Sequence, residues 1–354
     1  MSIQRANTLT ATWAAVSAAA VFSAAAVYPL LALLASVAAG RPRAELLAVA
    51  PTPLDLPIRG ALGLWTREGV PLTLDWAARA GPRLTGDPLI DRPLLDAWAA
   101  AQTGAPVPPF EFAPADENAL VLAAALAVTA DWETPFTDGV LRPAAGPWAG
   151  RRLASLHRRG PGLTALRSAA TPAGPVTLLT VRGTGDVDVV LCTAGGTAPA
   201  PAVLAAAVES FAAATPARKG PGITKALVDA DDTEPELVVK VPRFAAAAAH
   251  DLLTAADVFG LRAAAAPALF PGISSEPLRV ASAGLSVAAA FTGPGFRAAP
   301  VTRTPVVPMT PPAGTARRLR VTVRFDEPFG YLAVHRPTDL VLMAGWVDTP
   351  EAAP

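Results

Sequence analysis

The ten residues 119–128, Ala-Leu-Val-Leu-Ala-Ala-Ala-Leu-Ala-Val, contain no charge, no proline and no glycine. Alternation of apolar and polar residues, the mark of a strand with one wet face, is missing. Continuous apolarity over this length without turn signals fits a strand buried on both faces in the middle of a sheet. The centre of the fold is therefore expected here.

What surrounds that strand is not a helical bundle. The chain of 354 residues has 38 prolines, about twice the average usage of about 5%, and proline interrupts helices and favours extended segments. Hydrophobic residues make up 52% and charged residues 16%, a composition opposite to that of disordered chains. Basic and acidic residues number 29 each, so the formal net charge is zero and nothing draws the whole molecule towards nucleic acid or acidic lipid. The lone Cys192 can form neither an intrachain disulfide nor an ordinary zinc site. Next to Leu191 in an apolar run, it reads as a small buried hydrophobe rather than a nucleophile.

The 35 residues between Arg5 and Arg41 carry no charge, and a hydropathy window would report a membrane span. Alanine is their commonest residue, 14 of the 35, and they are broken by Asn7, Ser17, Ser23, Pro29 and Ser36. The apolar part is longer than the 7–15 residues of a signal peptide, and the charged start is only Arg5. Two buried helices separated near Phe22-Ser23 explain the pattern better, so a cytoplasmic protein is expected, with secretion as the alternative.

Further along, residues 96–102 read as a short helix carrying Trp98 and ended by Thr103-Gly104. Runs at 176–181 and 188–192 read as hairpin strands. Residues 236–244 read as one strand, and residues 251–259 as a helix stopped by Gly260. Strands return at 284–291, 319–325, 329–335 and 340–347. A proline-rich loop poor in charge, residues 292–314, stands before the last three. A loop this long in a compact protein points to function. No repeat or linker divides the chain, which is expected to form one α+β domain, residues 1–354.

Conventional catalytic patterns are absent. No G-x-S-x-G, H-E-x-x-H, C-x-x-C or P-loop occurs, and His157, His250 and His335 are far apart in sequence. Gly183-Thr184-Gly185-Asp186 reads as a hairpin turn, because strand-like residues follow it where a dinucleotide loop needs a helix. The acidic run Asp229, Asp231, Asp232, Glu234 and Glu236 lacks the glycine of an EF-hand and reads as a solvated loop. Arg151, Arg152, Arg158 and Arg159 around His157 could hold an anion, but without interleaved aromatics the run reads as solvated surface.

Several segments, in order, carry a family resemblance. Phe22-Ser23 leads into an apolar helix ending at Gly40. Residues 119–136 end in Asp131-Trp132-Glu133-Thr134-Pro135-Phe136. Leu237 to Phe244, Phe270-Pro271-Gly272-Ile273-Ser274 with Pro277-Leu278, and Phe325-Asp326-Glu327-Pro328-Phe329 follow, then His335-Arg336-Pro337-Thr338 and Leu342-Met343-Ala344-Gly345-Trp346-Val347. In sequence and spacing the chain resembles the serpins, of bacterial type and with a divergent hinge. The match spans nearly the whole chain.

That resemblance implies a large mixed central sheet with further sheets, surrounding helices and an exposed reactive loop, residues 292–318. In the family this loop is bait for a serine protease. After cleavage it enters the central sheet as a new strand and carries the acylated protease with it. Counting from the hinge glycine, Gly295, puts the bait bond at Met309-Thr310, in surroundings suited to elastase-like or chymotrypsin-like proteases. The hinge would comprise Gly295, Phe296, Arg297, Ala298, Ala299 and Pro300.

Departures from the family pattern bear on that mechanism. Gly293-Pro294 replaces an acidic pair, and Phe296 replaces a small residue. Pro300, Pro305 and Pro308 stand in a segment that would have to make ladder hydrogen bonds without their N–H groups. The family's serine, asparagine and histidine beneath the sheet opening are here Ala26, Ala124 and Leu285, an apolar seal in place of a polar network. The expectation is a non-inhibitory binding or substrate-like serpin, and the alternative is a functional suicide inhibitor. Either way the chain is read as a monomer and not an enzyme, without cofactor or metal. It would meet a serine protease or another protein through the loop, and neither nucleic acid nor membrane.

Overall fold

A computed structural model describes residues 1–104, 107–110, 119–195, 198–297 and 316–354. The uncharged N-terminal stretch forms α1 (Ser2–Val16) and α2 (Ala24–Val37), followed by α3 (Gly40–Val49). Ser23 caps α2: its hydroxyl accepts from the Ala26 N–H at 3.0 Å and donates to the Leu342 carbonyl. Ten of the fourteen residues of α2 are buried, so its hydropathy reflects a core position. Among the described residues no helix is long and apolar enough to cross a membrane.

After β1 (Gly60–Thr66) and α4 (Leu74–Ala77) comes α5 (Pro88–Thr103), which begins eight residues before the helix expected from Asp96. It holds two prolines, Pro88 and Pro93, and continues through the second. Pro88 occupies the first turn, where its missing N–H is no loss, and Asp87 caps by accepting from Leu89 N–H at 2.9 Å. Gly104, at φ 65°, ends the helix as expected.

The apolar run forms β2 (Ala119–Ala127), and β3 (Ala130–Asp131) follows it. Leu120, Leu122, Ala124 and Leu126 enter the main core, while Val121, Ala123 and Ala125 join Trp65, Leu95 and Ala99 under α5. Burial on both faces is thus met by two separate apolar layers.

Next come β4 (Thr137–Leu141), β5 (Leu153–Gly160), β6 (Leu166–Thr171), β7 (Gly174–Val181), β8 (Val187–Ala194), α6 (Ala200–Ser210), β9 (Thr215–Pro216) and β10 (Ile223–Ala230). β7 and β8 pair antiparallel around the glycine turn, as read. The run from Glu236 to Phe244 is two strands in two sheets, β11 (Glu236–Pro242) and β12 (Phe244–Asp251), with the chain crossing between them at Arg243. The acidic run is only partly loop. Asp229 lies in β10, and Glu236 begins β11 and pairs with Arg320 at 2.5 Å. No cluster able to hold a metal occurs among the described residues.

Asp251 then caps a short helical turn leading to α7 (Ala256–Phe259), stopped at Gly260 (φ 64°). The remainder is β13 (Arg279–Phe291), β14 (Gly295–Arg297), β15 (Ala316–Arg324), β16 (Phe329–His335) and β17 (Leu340–Val347). Among the described residues three sheets result. The central one runs β1-β2-β13-β14-β3, with β12 on the other edge of β13. A second runs β10-β15-β11-β5-β4 and a third β17-β16-β8-β7-β6-β9. Helices α1, α2 and α6 pack on the third sheet, and α2 also touches β1 and β2. The fold is α+β, as expected.

Candidate functional site

The end of the central sheet is organised around Trp132, which follows β3. Trp132 is buried at 3% exposure and sits against the turn between β13 and β14. Its indole Nε1–H donates to the Thr292 carbonyl at 2.9 Å, and its backbone N–H donates to the Pro294 carbonyl at 3.0 Å. The Phe136 N–H donates to the Gly293 carbonyl at 2.9 Å. The Gly295 carbonyl accepts from both the N–H and the hydroxyl of Thr292, at 2.9 and 2.7 Å. All four consecutive carbonyls of this turn therefore have donors, the satisfaction that a buried backbone demands.

A Cβ at Gly293 would lie 3.2 Å from the Phe136 carbonyl oxygen, and one at Gly295 would lie 2.2 Å from the Ala130 carbonyl oxygen. At Gly295 a side chain would displace the neighbouring backbone.

Beyond the turn, residues 295–297 are not loop, as the sequence reading had them, but the strand β14. β12 occupies one edge of β13 over residues 284–291, and β2 the other edge as far as Ala288. β14 pairs with Ala290 and Phe291 above β2, and on its other side with Ala130 and Asp131 of β3. A three-residue strand is thus wedged between β13 and the continuation of β2. Phe296 anchors it: the side chain has no exposed surface and its ring meets Tyr331 edge-on at 6.1 Å. Arg297 pairs with Asp131 across the strands. Ala316 to Arg318, counted at the loop's far end, likewise belong to β15.

Below β14 the sheet is closed. β2 and β13 are hydrogen-bonded directly as a parallel pair over nine register positions, from Arg279 opposite Ala119 to Ala288 opposite Ala127. Ala26, Ala124 and Leu285 are all buried in the main core, and Ala124 and Leu285 are register partners. One polar group does sit in this row, which the sequence reading missed: His250 of β12 lies opposite Leu285, and its Nε2 is 2.7 Å from the Val21 carbonyl oxygen. Burial pushes its imidazole below the ordinary value, against a smaller opposing effect of that hydrogen bond.

The structure thus brings together Trp132, Gly295, Phe296 and Arg297, and separately Ala124 and Leu285. Ala298, Ala299, Pro300, Met309 and Thr310 lie outside the described residues.

One catalytic-looking contact exists. Ser155 Oγ and His157 Nε2 are 3.0 Å apart, two residues apart on β5. Ser155 is buried at 1% exposure, and His157 faces cations: burial first, then Lys240, Arg159 and Arg324, hold its imidazole below the ordinary value. Among the described residues no carboxylate orients this histidine, so the pair lacks the third member of a nucleophile–base relay. Cys192 is fully buried and its thiol is pushed up to about 12 by desolvation, which makes it inert.

No family model matches the sequence, and no curated protein matches it. Solved structures do. Native protease nexin-1 with heparin is 16% identical, with a TM-score of 0.72 over 99% of this chain and 100% of that one. A thyroxine-binding globulin complex with thyroxine is 14% identical, with a TM-score of 0.73 over 99% of both chains. A second thyroxine-binding globulin structure, the human protein with the same ligand, is 13% identical, with a TM-score of 0.72 over 99% of this chain and 100% of that one. These are serpins, and the fold of this chain is the serpin fold.

Proposed function

We propose that this chain is a serpin-type binding scaffold, presenting the segment after Arg297 to a protein partner. A serine protease would meet it as an ordinary substrate at Met309-Thr310. The observation that carries this reading is the hinge: Phe296 is an anchored core residue at the position where the mechanism wants a small, mobile one. Insertion past Arg297 would have to part nine register pairs between β2 and β13 and replace them with a strand containing Pro300, Pro305 and Pro308. Each proline withholds a ladder donor. The apolar row at Ala124 and Leu285 adds packing that favours the closed sheet. The fold alone accommodates both uses, since its relatives here include a protease nexin and a thyroxine-binding protein.

A second reading has its own observation. β14 already occupies the place where an inserted strand would begin, which suits a suicide inhibitor poised to complete the strand. Incubation with elastase-like and chymotrypsin-like proteases separates the two. The scaffold reading expects cleavage near Met309 with no complex surviving denaturing electrophoresis and no gain in heat stability. A covalent complex together with a large rise in melting temperature after cleavage would establish inhibition instead. We read the protein as a cytoplasmic monomer and not an enzyme. Recovery of the intact chain chiefly from culture medium would overturn the location.

A further inference from the structure

Arg158 and Arg159 are neighbours in sequence, but β5 turns them to opposite faces of the second sheet. Residues directly opposed across a ladder share a face. Arg158 is opposite the buried Val239, whereas Arg159 is opposite Val238, which is opposite Thr322 in turn. On the Arg159 face the adjoining row runs Arg324, Lys240, His157 and Thr137 across β15, β11, β5 and β4. In the other direction comes Arg320 opposite Glu236, and then Arg318 opposite Val228.

The cations of this face are unequally matched. Asp232 pairs with Arg318 at 2.8 Å, Glu236 with Arg320 at 2.5 Å, and Asp326 with Arg324 at 2.8 Å. Among the described residues Lys240 and Arg159 have no carboxylate partner. Lys240 also stands directly opposite Arg324, a like-charge placement that costs stability. His157 registers the result from the middle of the row. Burial first, then Lys240, Arg159 and Arg324, hold its imidazole below the ordinary value, so three side chains bring positive charge to one spot.

We propose that this face docks an acidic segment of a partner protein, with carboxylates lying against Lys240 and Arg159. A sheet face does not enclose a small ion, and single exposed ion pairs are weak, so several carboxylates on one chain suit it better than a lone anion. No Phe, Tyr or Trp stands in these rows to stack a base, which disfavours nucleic acid. The zero net charge is no obstacle, because the field is local. Neither Lys240 nor Arg159 belongs to the segment between Arg297 and Ala316, so this surface stands or falls apart from the loop reading.

The test is fluorescence anisotropy of a labelled hexaglutamate peptide titrated with the full chain at pH 7.5 in about 50 mM sodium chloride, then in about 300 mM. The expected result is saturable binding that weakens with salt. Lys240→Gln and Arg159→Gln should each weaken it about three- to fivefold. Lys225→Gln should change it less than about 1.5-fold, because Lys225 is exposed opposite Val321, on the other face of the same sheet. Circular dichroism verifies each fold, and Arg159 is itself exposed, so its variant reads binding even if Lys240→Gln proves unstable. No saturable binding, or equal weakening by Lys225→Gln and Lys240→Gln, overturns the proposal. Tighter binding of a thymidylate hexamer than of hexaglutamate overturns it too, in favour of nucleic acid.

Discussion

Leu285 stands beside Ala124 across the parallel ladder that joins β13 to β2, and neither side chain exposes any surface. At these two positions the family resemblance expects a histidine and an asparagine that hydrogen-bond beneath the sheet opening. A hydrogen bond can be broken and remade as a sheet parts, whereas close packing is lost as soon as the strands separate.

Restoring either polar group alone should therefore hurt. Ala124→Asn and Leu285→His each insert an amide or imidazole into dry, filled space, and each should lose about 1–3 kcal/mol in urea denaturation. The double variant should lose less than the sum, because the two new groups are register neighbours and can bond each other. Neutral single variants would show that this row has slack, and would remove the packing argument for a sealed sheet.

Phe296 sets the second expectation. Phe296→Ala empties a fully buried aromatic site facing Tyr331 and should cost about 3–5 kcal/mol. Arg297→Ala removes only a partly exposed ion pair with Asp131 and should change stability by no more than about 1 kcal/mol. Chemical denaturation of the two variants compares them directly. Similar small losses would mean that β14 is not anchored by its aromatic residue.

A third expectation concerns acid. His157 and His250 both titrate below their ordinary value of 6.5 in the folded chain, chiefly through burial. On acidification the unfolded chain therefore takes up protons first. Stability should be full at neutral pH and fall from about pH 6.5 downward, until the folded histidines also protonate. Melting temperature between pH 8 and pH 5 reports this, and the decline should be shallower in His157→Gln and in His250→Gln. A melting temperature that rises on acidification would contradict the direction of both shifts.

Cys192 offers a simpler check. Its thiol is pushed up to about 12 and is fully buried, so at pH 8 it should ignore a disulfide-exchange reagent until the protein unfolds. Reaction in the native state at the rate of a free thiol would mean that β8 opens locally.

Legibility followed the physics of each segment. Residues 119–128 announced a doubly buried strand because burial on both faces leaves an unmistakable run. The Gly183 turn and the stop at Gly260 were readable because glycine marks a backbone need. The beginning of α5 was not, because Pro88 and Pro93 look like breakers in one dimension, although Pro88 stands in the first turn, where a proline is harmless, and the helix continues through Pro93. The strand β14 was hidden for a different reason. Within Gly295-Phe296-Arg297 a lone phenylalanine is too short a signal of extension, and the strand forms because it pairs with β13 on one side and β3 on the other. The arginine run was split by the same limit: adjacency in sequence grouped Arg151 with Arg158, whereas the fold puts Arg158 near Arg182 at the other end of β5.

The His335-Arg336-Pro337-Thr338 segment gives the last expectation. Arg336 grips Asp188 with two nitrogens, Nε to Oδ2 at 2.9 Å and Nη2 to Oδ1 at 2.6 Å, and Nη2 also reaches the Gly183 carbonyl at 2.7 Å. Asp188 is 7% exposed and accepts from the Gly183 N–H at 3.1 Å. Gly183 in turn bridges to Trp132, so the pair braces the β7–β8 turn against the end of the central sheet. Arg336→Ala leaves a nearly buried carboxylate with one donor fewer at each oxygen, and should cost about 1.5–3 kcal/mol. Arg336→Lys should recover only part of this, since an ammonium cannot reproduce the two-pronged contact. Arg182→Ala, which breaks the half-exposed contact with Glu133, should stay within about 1 kcal/mol. Denaturation of these three variants measures the contrast. Equal losses for Arg336→Ala and Arg182→Ala would show that burial of Asp188 does not set the strength of the pair, and that the brace contributes no more than a surface contact.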